Sequence, residues 1–250
     1  KFHTNHSLVF IQAIDRGSLF QVRQMIKTLP TAGIAHLLES SPPKTRSVLW
    51  QLIDKESEGE VIQYLNEDLQ SEILSELDAK EVVELTEGLE TDDLADILQQ
   101  LPIQIAQEVL EAMDQQDRQR VEKILSYDED TAGGLMNTDS ITVRRNHTVE
   151  LVLRYLRRHQ TLPEMTDNIL VVNRDDELLG ILPLKEVLVS DPNTSVRDVM
   201  RKDINAIPVD MEAAEVAYLF EQHDWVSAPV VDINGKLLGR ITIDDVVDVI

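Results

Sequence analysis

The first half of the chain carries a regular hydrophobic pattern. Apolar residues recur every twelve positions from Ile53 to Leu125, and a second apolar series, from Val61 to Val121, follows eight residues after the first. The residue after a member of the first series is usually a helix-capping or helix-breaking type: Asp54, Asn66, Asp78, Pro102 and Asp114. Each twelve-residue unit therefore predicts a cap followed by an amphipathic helix of two or three turns.

Helices this short are not stable alone in water, but helices stacked in sequence bury a continuous apolar seam. The pattern thus predicts a small all-α solenoid, that is, a helical superhelix. Residues 7–50 also look helical, although less regularly, in the segments LVFIQAI, LFQVRQMI and IAHLLESS.

A different pattern begins around SYDEDTAGGLMNTD, residues 126–139, where Gly133-Gly134 predicts a turn. Beyond it, amphipathic helices lie between short strand-like segments: SITV, NILVV, LLGILP, NAIPV, SAPVV and LLGRITI. The pattern occurs twice, because Met136 opens one copy and Met200 the next, and the LLG of 178–180 recurs at 237–239. The second half is therefore predicted to be a tandem α/β repeat.

The charge balance narrows the choice of partners. The chain has 46 acidic and 23 basic residues, a formal net charge of −23. Such a surface repels phosphates, so nucleic acid is not expected as a partner. The acidic residues either solvate the surface or concentrate divalent cations. The chain contains no cysteine, and no apolar run approaches the ~18 residues of a membrane span, so a soluble protein is expected.

The spacing of the carboxylates favours a cation. Mg²⁺ takes oxygen ligands, keeps several waters and typically binds one or two carboxylates at a site. Carboxylates three or four residues apart share a helix face, as in Asp92/Asp96 and Asp245/Asp248. Asp93 is equally explained as a first-turn acid that the helix dipole favours. Carboxylates brought together between two domains would hold them apart until a cation intervenes, which predicts a cation sensor.

Signals of catalysis are missing from the sequence. There is no P-loop, no HExxH and no cysteine nucleophile, and the six histidines fall in no metal-ligand spacing. His223, beside Asp224, is better explained as a solvated residue at a helix end, because Mg²⁺ does not favour imidazole. We therefore expect no enzyme.

Two phrases, DVMRKDINAIPVD and APVVDINGKLLGRITIDDV, are close to the signature wording of cystathionine-β-synthase (CBS) domains. The whole arrangement resembles the cytosolic region of MgtE-type magnesium transporters, most specifically in TDDLADILQQL (91–101), the AGGLM junction and the terminal DDVVDV. The resemblance implies a multidomain α and α/β protein. Its parts would be a helical N domain (1–128), a junction (129–136), CBS domain 1 (137–196) and CBS domain 2 (197–250).

The resemblance also implies a mechanism, in which Mg²⁺ bridges acidic residues of the N domain and the CBS domains and favours a compact, closed-gate state. The metal-site residues it implies are Glu60, Asp92, Asp96, Gly134 through its carbonyl, Glu221, Asp224, Asp245 and Asp248. Glu221 is an addition to the family pattern, and Ala214 stands where the family sometimes has an acid.

A nucleotide is the second ligand that the resemblance implies. CBS pairs often bind adenosine nucleotides through the pattern G-h-x-[ST]-x-x-D, which is intact from Gly239 to Asp245. The first copy departs from it at Pro183 and Glu186. In MgtE relatives ATP uses the first-copy cleft, so Lys185, Glu186 and a stacking Trp225 are its candidate ligands, with ordinary packing the alternative for Trp225.

As partners, the family implies a homodimer formed through the CBS domains and the protein's own membrane domain. We expect that domain to follow residue 250 in a longer protein at the cytoplasmic face of the inner membrane. Two alternatives stay open. One is a CBS module that senses adenine nucleotides; the other is an interaction scaffold, because similar short-helix solenoids occur in flagellar motor-switch proteins.

Overall fold

A computed structural model describes residues 19–159, 161–247 and 249. Contacts within the chain divide it into two compact units. The first contains the described part of 1–89 together with Asp96–Arg118. The second contains Gln119 onward together with Glu90–Ala95. The segment LVFIQAI and the residue Asp248, both singled out in the sequence, lie outside the described residues.

From residue 19 to residue 125 the described chain is mainly helical, as predicted. Its helices are α1 (Leu19–Ile26), α2 (Thr31–Glu39), α3 (Pro43–Trp50), α4 (Lys55–Gln63), α5 (Glu67–Ser75), α6 (Ala79–Thr86), α7 (Thr91–Gln100), α8 (Ile103–Ala112) and α9 (Gln115–Leu125). Helices α4, α5, α6, α8 and α9 each begin one residue after a predicted cap. The twelve-residue spacing therefore predicted the first residues of these five helices correctly.

The predicted caps act in different ways. Asn66 accepts a hydrogen bond from the Leu69 amide at 3.0 Å, and Asp78 forms a reciprocal capping box with Glu81. Asp54 does not cap α4 with its side chain; its carboxylate instead pairs with Arg23 and Lys27, each at 3.1 Å. The residue type at these positions thus predicted where each helix begins, but not which partner the side chain takes.

In the first unit, helices two apart in sequence pack on each other: α2 on α4, α4 on α6 and α6 on α8. The approach of α4 to α6 is closest at Gly59, where a Cβ atom would lie 2.2 Å from the carbonyl oxygen of Leu85. The second apolar series is buried throughout the half: Val61, Ile73, Leu85, Ile97, Val109 and Val121. This is the seam that the sequence pattern predicted.

The second unit contains the α/β repeat. After α10 (Ala132–Leu135), the first copy consists of β1 (Thr142–Val143), α11 (Val149–Arg158), β2 (Asn168–Val172), β3 (Leu178–Pro183) and α12 (Leu184–Val189). After α13 (Val196–Val199), the second consists of β4 (Ile207–Pro208), α14 (Ala213–His223), β5 (Ser227–Val231), β6 (Leu237–Thr242) and α15 (Ile243–Val247). The strands β1-β2-β3 form one sheet and β4-β5-β6 the other, each with a parallel and then an antiparallel pairing.

The two copies exchange their opening segments. Met136 is fully buried in the core of the second copy, and Met200 packs against the core of the first. The residue after each methionine pairs with a sheet edge, Asn137 with Arg240 in β6 and Arg201 with Ile181 in β3. This pseudo-symmetric exchange ties the two copies into one unit.

The turn predicted at Gly133-Gly134 is wrong, because both glycines lie inside the short helix α10. A Cβ atom at Gly134 would lie 2.6 Å from the Glu129 Cα, so the glycine allows a close backbone approach instead of a turn. None of the described helices combines the length and the apolar character that crossing a bilayer requires.

Candidate cation-binding site

The second unit brings two of the predicted carboxylates, Asp92 and Asp245, into electrostatic contact. Asp92 lies in the first turn of α7 and is only 5% exposed. Asp245 lies in α15, half-buried, and its Oδ2 accepts a hydrogen bond from the Thr242 hydroxyl at 2.9 Å. The Asp92 Oδ1 atom is buried and has no hydrogen-bond partner among the described residues.

Burial and like charge disfavour ionisation at this site. Burial raises the pKa of Asp92 well above its usual range, and the charges of Asp245, Asp93 and Glu90 raise it further. Burial, followed by the charges of Asp244, Asp93 and Glu90, raises the pKa of Asp245 to about 7. The pKa of Glu90 is also raised, mainly by burial. The fold therefore disfavours the charged forms of these carboxyls, and a cation bound beside them would favour the charged forms again.

Glu90 is held by a neighbouring asparagine. Its carboxylate accepts a short hydrogen bond from the Asn137 side-chain amide and a second, at 3.4 Å, from the Glu164 backbone N–H. Its backbone carbonyl accepts from Leu94 and so begins α7. The residue that starts the helix carrying Asp92 is thus fixed by a side chain from the segment that precedes the first copy.

Asp139 also binds the start of α7, and it binds α9 as well. Its carboxylate accepts from Arg120 in α9 at 3.0 Å and from the Thr91 hydroxyl at 3.4 Å. Its backbone N–H donates to the Asn137 side-chain oxygen at 2.7 Å. Asn137, Asp139 and the start of α7 therefore form one hydrogen-bonded network.

The buried cation near the cluster is Arg240, which is 5% exposed. Its guanidinium donates to the backbone carbonyls of Glu164 and Met165, and its positive charge lowers the pKa of Glu90 against the effect of burial. Arg240 thus joins β6 of the second copy to the loop before β2 of the first copy.

The other predicted site residues lie elsewhere. In the first unit, Glu60 is exposed and accepts from the Thr31 hydroxyl at 2.9 Å, and Asp96 is exposed. In the second, Gly134 lies in α10, and Glu221 and Asp224 are exposed at the end of α14, where Asp224 adopts a left-handed conformation (φ 52°).

Two of the candidate nucleotide ligands, Lys185 and Glu186, lie in α12. The third, Trp225, packs edge-on against Phe220 and stacks on His223, with ring centroids 5.6 and 4.9 Å apart. Both groups lie near Asp167, whose carbonyl accepts from Leu184 and whose carboxylate accepts from Ser227.

Within the described ranges, no three acidic or histidine side chains converge into a ready-made metal centre. The chemistry of the cluster nevertheless suits a hard cation. The Asp92 Oδ1 atom is buried and has no hydrogen-bond partner among the described residues, and Mg²⁺ binds through one or two carboxylates while keeping its waters. The residues present therefore fit a hydrated divalent ion.

The sequence reasoning missed the residues that hold the cluster together. Glu90, Asn137 and Asp139 belong to no motif with a recognisable spacing, and the Glu90–Asn137, Thr91–Asp139 and Arg240–Met165 hydrogen bonds join residues 47, 48 and 75 positions apart. Among the residues that hold the cluster together, only Arg240 carried a signal: it occupies the apolar position of the Gly239–Asp245 pattern, so that pattern departs from the CBS form at this residue and is not fully intact.

Two family models match the sequence. Residues 29–130 match the MgtE intracellular N domain, and residues 132–191 and 196–250 match the CBS domain. An all-α domain followed by a CBS pair defines the class of protein, a regulatory region built on a CBS pair.

The chain is similar in sequence to known magnesium transporters. The magnesium transporter MgtE of Thermus thermophilus is 41% identical over 138 residues, 55% of this chain and 31% of that protein. The magnesium transporter MgtE of Bacillus subtilis is 25% identical over 234 residues, 94% of this chain and 52% of that protein. The chain thus spans about half or less of the length of these relatives.

A crystal structure of the cytosolic domain of the Mg²⁺ channel MgtE in complex with ATP matches with a TM-score of 0.89 and 33% identity. The match covers 98% of this chain and 100% of that one. The chain therefore belongs to the MgtE family and comprises its N domain and its tandem CBS domains.

Proposed function

We propose that this chain is the Mg²⁺-sensing regulatory region of an MgtE-type magnesium transporter and is not an enzyme. The observation that supports the proposal most directly is the buried, unpartnered Oδ1 atom of Asp92 beside Asp245. A buried carboxylate oxygen without a hydrogen-bond partner destabilises the fold, and a second carboxylate nearby adds repulsion. A divalent cation relieves both, so cation binding and the folded arrangement of the cluster favour each other.

The coupling between Mg²⁺ binding and the folded arrangement also sets the Mg²⁺ concentration at which the sensor responds. A ligand that binds only one arrangement stabilises it by RT ln(1 + [L]/Kd), about 2.7 kcal/mol at one hundred times Kd. Weak sites therefore suffice for an ion that is abundant in cells. In the longer protein, we propose, Mg²⁺ favours a compact, closed-gate state of a membrane domain at the cytoplasmic face of the inner membrane. Glu60, Asp96, Gly134, Glu221, Asp224 and Asp248 remain proposed contributors to further sites.

Thermal unfolding of the full chain tests the proposal. MgCl₂ should raise the melting temperature relative to EDTA, and Asp92→Ala combined with Asp245→Ala should remove most of that rise. Asp175→Ala, at an exposed carboxylate of the same unit, is the matched control and should keep the full rise. An equal rise in the double variant and in the control would refute Asp92 and Asp245 as ligands.

ATP is a second candidate ligand, favoured by the match to an ATP-bound MgtE domain. Asp167 joins the strand that follows Trp225 to the helix that carries Lys185 and Glu186, so these residues border one region of the second unit. Lys185 would meet phosphates, Glu186 the ribose and Trp225 the base. Titration calorimetry should show ATP binding that Lys185→Ala weakens several-fold. Binding that Lys185→Ala and Trp225→Ala both leave unchanged would place the nucleotide elsewhere.

We further propose that the chain dimerises through its CBS pair. The two copies present exposed apolar side chains at equivalent helix positions: Leu188 in α12 is 69% exposed and Val247 in α15 is 59% exposed. Tyr155 in α11 and Tyr218 in α14 are also exposed, on the helices that contact α12 and α15. A repeated apolar face of this kind suits an isologous contact with a second copy.

A further inference from the structure

Asn137 is the residue in which the contacts around the cluster meet. Its side chain is 0% exposed, and every polar group of the residue is hydrogen-bonded. The side-chain amide donates to the Glu90 carboxylate, and the side-chain oxygen accepts from the Asp139 N–H. Its backbone N–H donates to the Arg240 carbonyl at 2.7 Å, and its carbonyl accepts from the Arg240 N–H at 2.8 Å.

These hydrogen bonds connect Asn137 to the two segments that carry Asp92 and Asp245. Glu90 begins the helix in which Asp92 occupies the first turn. Arg240 lies in β6, which continues directly into Thr242 and α15 with Asp245. One buried side chain therefore contacts the segment that carries Asp92, and its backbone contacts the segment that carries Asp245.

We propose that Asn137 is a positioning residue, which sets the separation of the Asp92 and Asp245 carboxylates by binding Glu90 with its side chain and Arg240 with its backbone. The inference rests on the proposed Mg²⁺ function. Because the amide group is neutral, it fixes Glu90 without neutralising it, so the negative charge of the cluster stays available to a cation. A lysine or arginine at position 137 would hold Glu90 but would also replace the cation.

The pseudo-symmetry of the unit provides an internal comparison. Arg201 occupies the equivalent place in the other copy and makes the equivalent pair of backbone bonds, with Ile181 at 2.8 and 2.9 Å. Its side chain is exposed, whereas that of Asn137 is buried against Glu90. The backbone role is thus common to both copies, and the side-chain role belongs to Asn137 alone.

Titration of the full chain with MgCl₂ by calorimetry tests the inference, with the dissociation constant as the readout. Asn137→Ser retains a small polar group but cannot reach Glu90, and it should weaken Mg²⁺ binding about tenfold, equivalent to about 1.4 kcal/mol. Arg201→Ala should bind as the unsubstituted chain does. Asn137→Ala should behave as Asn137→Ser, and urea unfolding of each variant reports separately on stability.

A double-mutant cycle shows whether Asn137 acts through Glu90. Glu90→Ala should weaken Mg²⁺ binding, and adding Asn137→Ser to it should cause little further loss. Additive losses, or an unchanged dissociation constant in Asn137→Ser with only its stability lowered, would overturn the inference and leave the proposed function intact. If the unsubstituted chain bound no Mg²⁺ at all, the proposed function would fail and the inference with it.

Discussion

Asp92 and Asp245 are ionisable groups whose surroundings oppose ionisation. Their pKa values are raised in the folded chain, whereas in the unfolded chain both return to the ordinary value near 3.8. Between pH 4 and about 7 the folded state therefore holds protons that the unfolded state has released. The free energy of unfolding must fall as the pH rises through this window.

The pH dependence gives a prediction for the chain without divalent ions. Asp92→Asn and Asp245→Asn remove a carboxylate that is costly to ionise, so each should raise the melting temperature at pH 8, by roughly 2–4 °C for each 1 kcal/mol gained. At pH 4 the gain should vanish, because the native carboxyls are then protonated. Differential scanning calorimetry in EDTA at both pH values measures this, with exposed Asp175→Asn as the control. A gain that persists at pH 4 would contradict the pKa argument.

For single residues, the sequence identified candidate carboxylates but did not predict which of them the fold would bury. Spacing grouped Asp92 with Asp96, but the fold buries Asp92 and exposes Asp96. A spacing of four residues defines a helix face without saying what covers it. Asn137 could not have been found, because its importance depends on contacts with residues far away in sequence.

Local sequence patterns predicted the positions of most helices and strands. Helix starts followed the caps, and the strands of both copies lie where the short apolar segments predicted them. The exception is α10, where two glycines suggested a turn. There the backbone of residues 128–129 approaches so closely that only glycine fits, a tertiary constraint that no local pattern reports.

The close contact between α4 and α6 leads to a prediction about stability. Gly59→Ala should destabilise the chain by about 1–3 kcal/mol, because the new methyl group overlaps the Leu85 carbonyl oxygen and the helices must move apart. Urea unfolding measures the loss. Gly33→Ala in α2 is the matched control: its methyl would meet only side-chain atoms, at 3.3 Å or more, and should be near neutral. Equal effects of the two substitutions would show that helix packing at Gly59 is not the cause.

For the molecule as a whole, the repeated apolar face predicts the oligomeric state. Leu188→Asp with Val247→Asp places charges on both halves of that face and should convert a dimer into a monomer. Sedimentation equilibrium measures the mass directly. Ile233→Asp, at a fully exposed position in the β5–β6 hairpin, should leave the dimer intact. A monomeric unsubstituted chain, or a dimer that survives the double substitution, would contradict the proposed interface.

Residues 90–95 belong to the second unit although the chain on either side of them belongs to the first. The chain therefore passes between the units three times, and the boundary between the family models near residue 131 does not separate two independent pieces. A fragment beginning there would lack Glu90 and Thr91 and would leave the amide of Asn137 and the carboxylate of Asp139 without those partners. The start of α7 thus supplies hydrogen-bond partners to residues 137–139 of the CBS unit, and a fragment that begins at residue 131 would lack them.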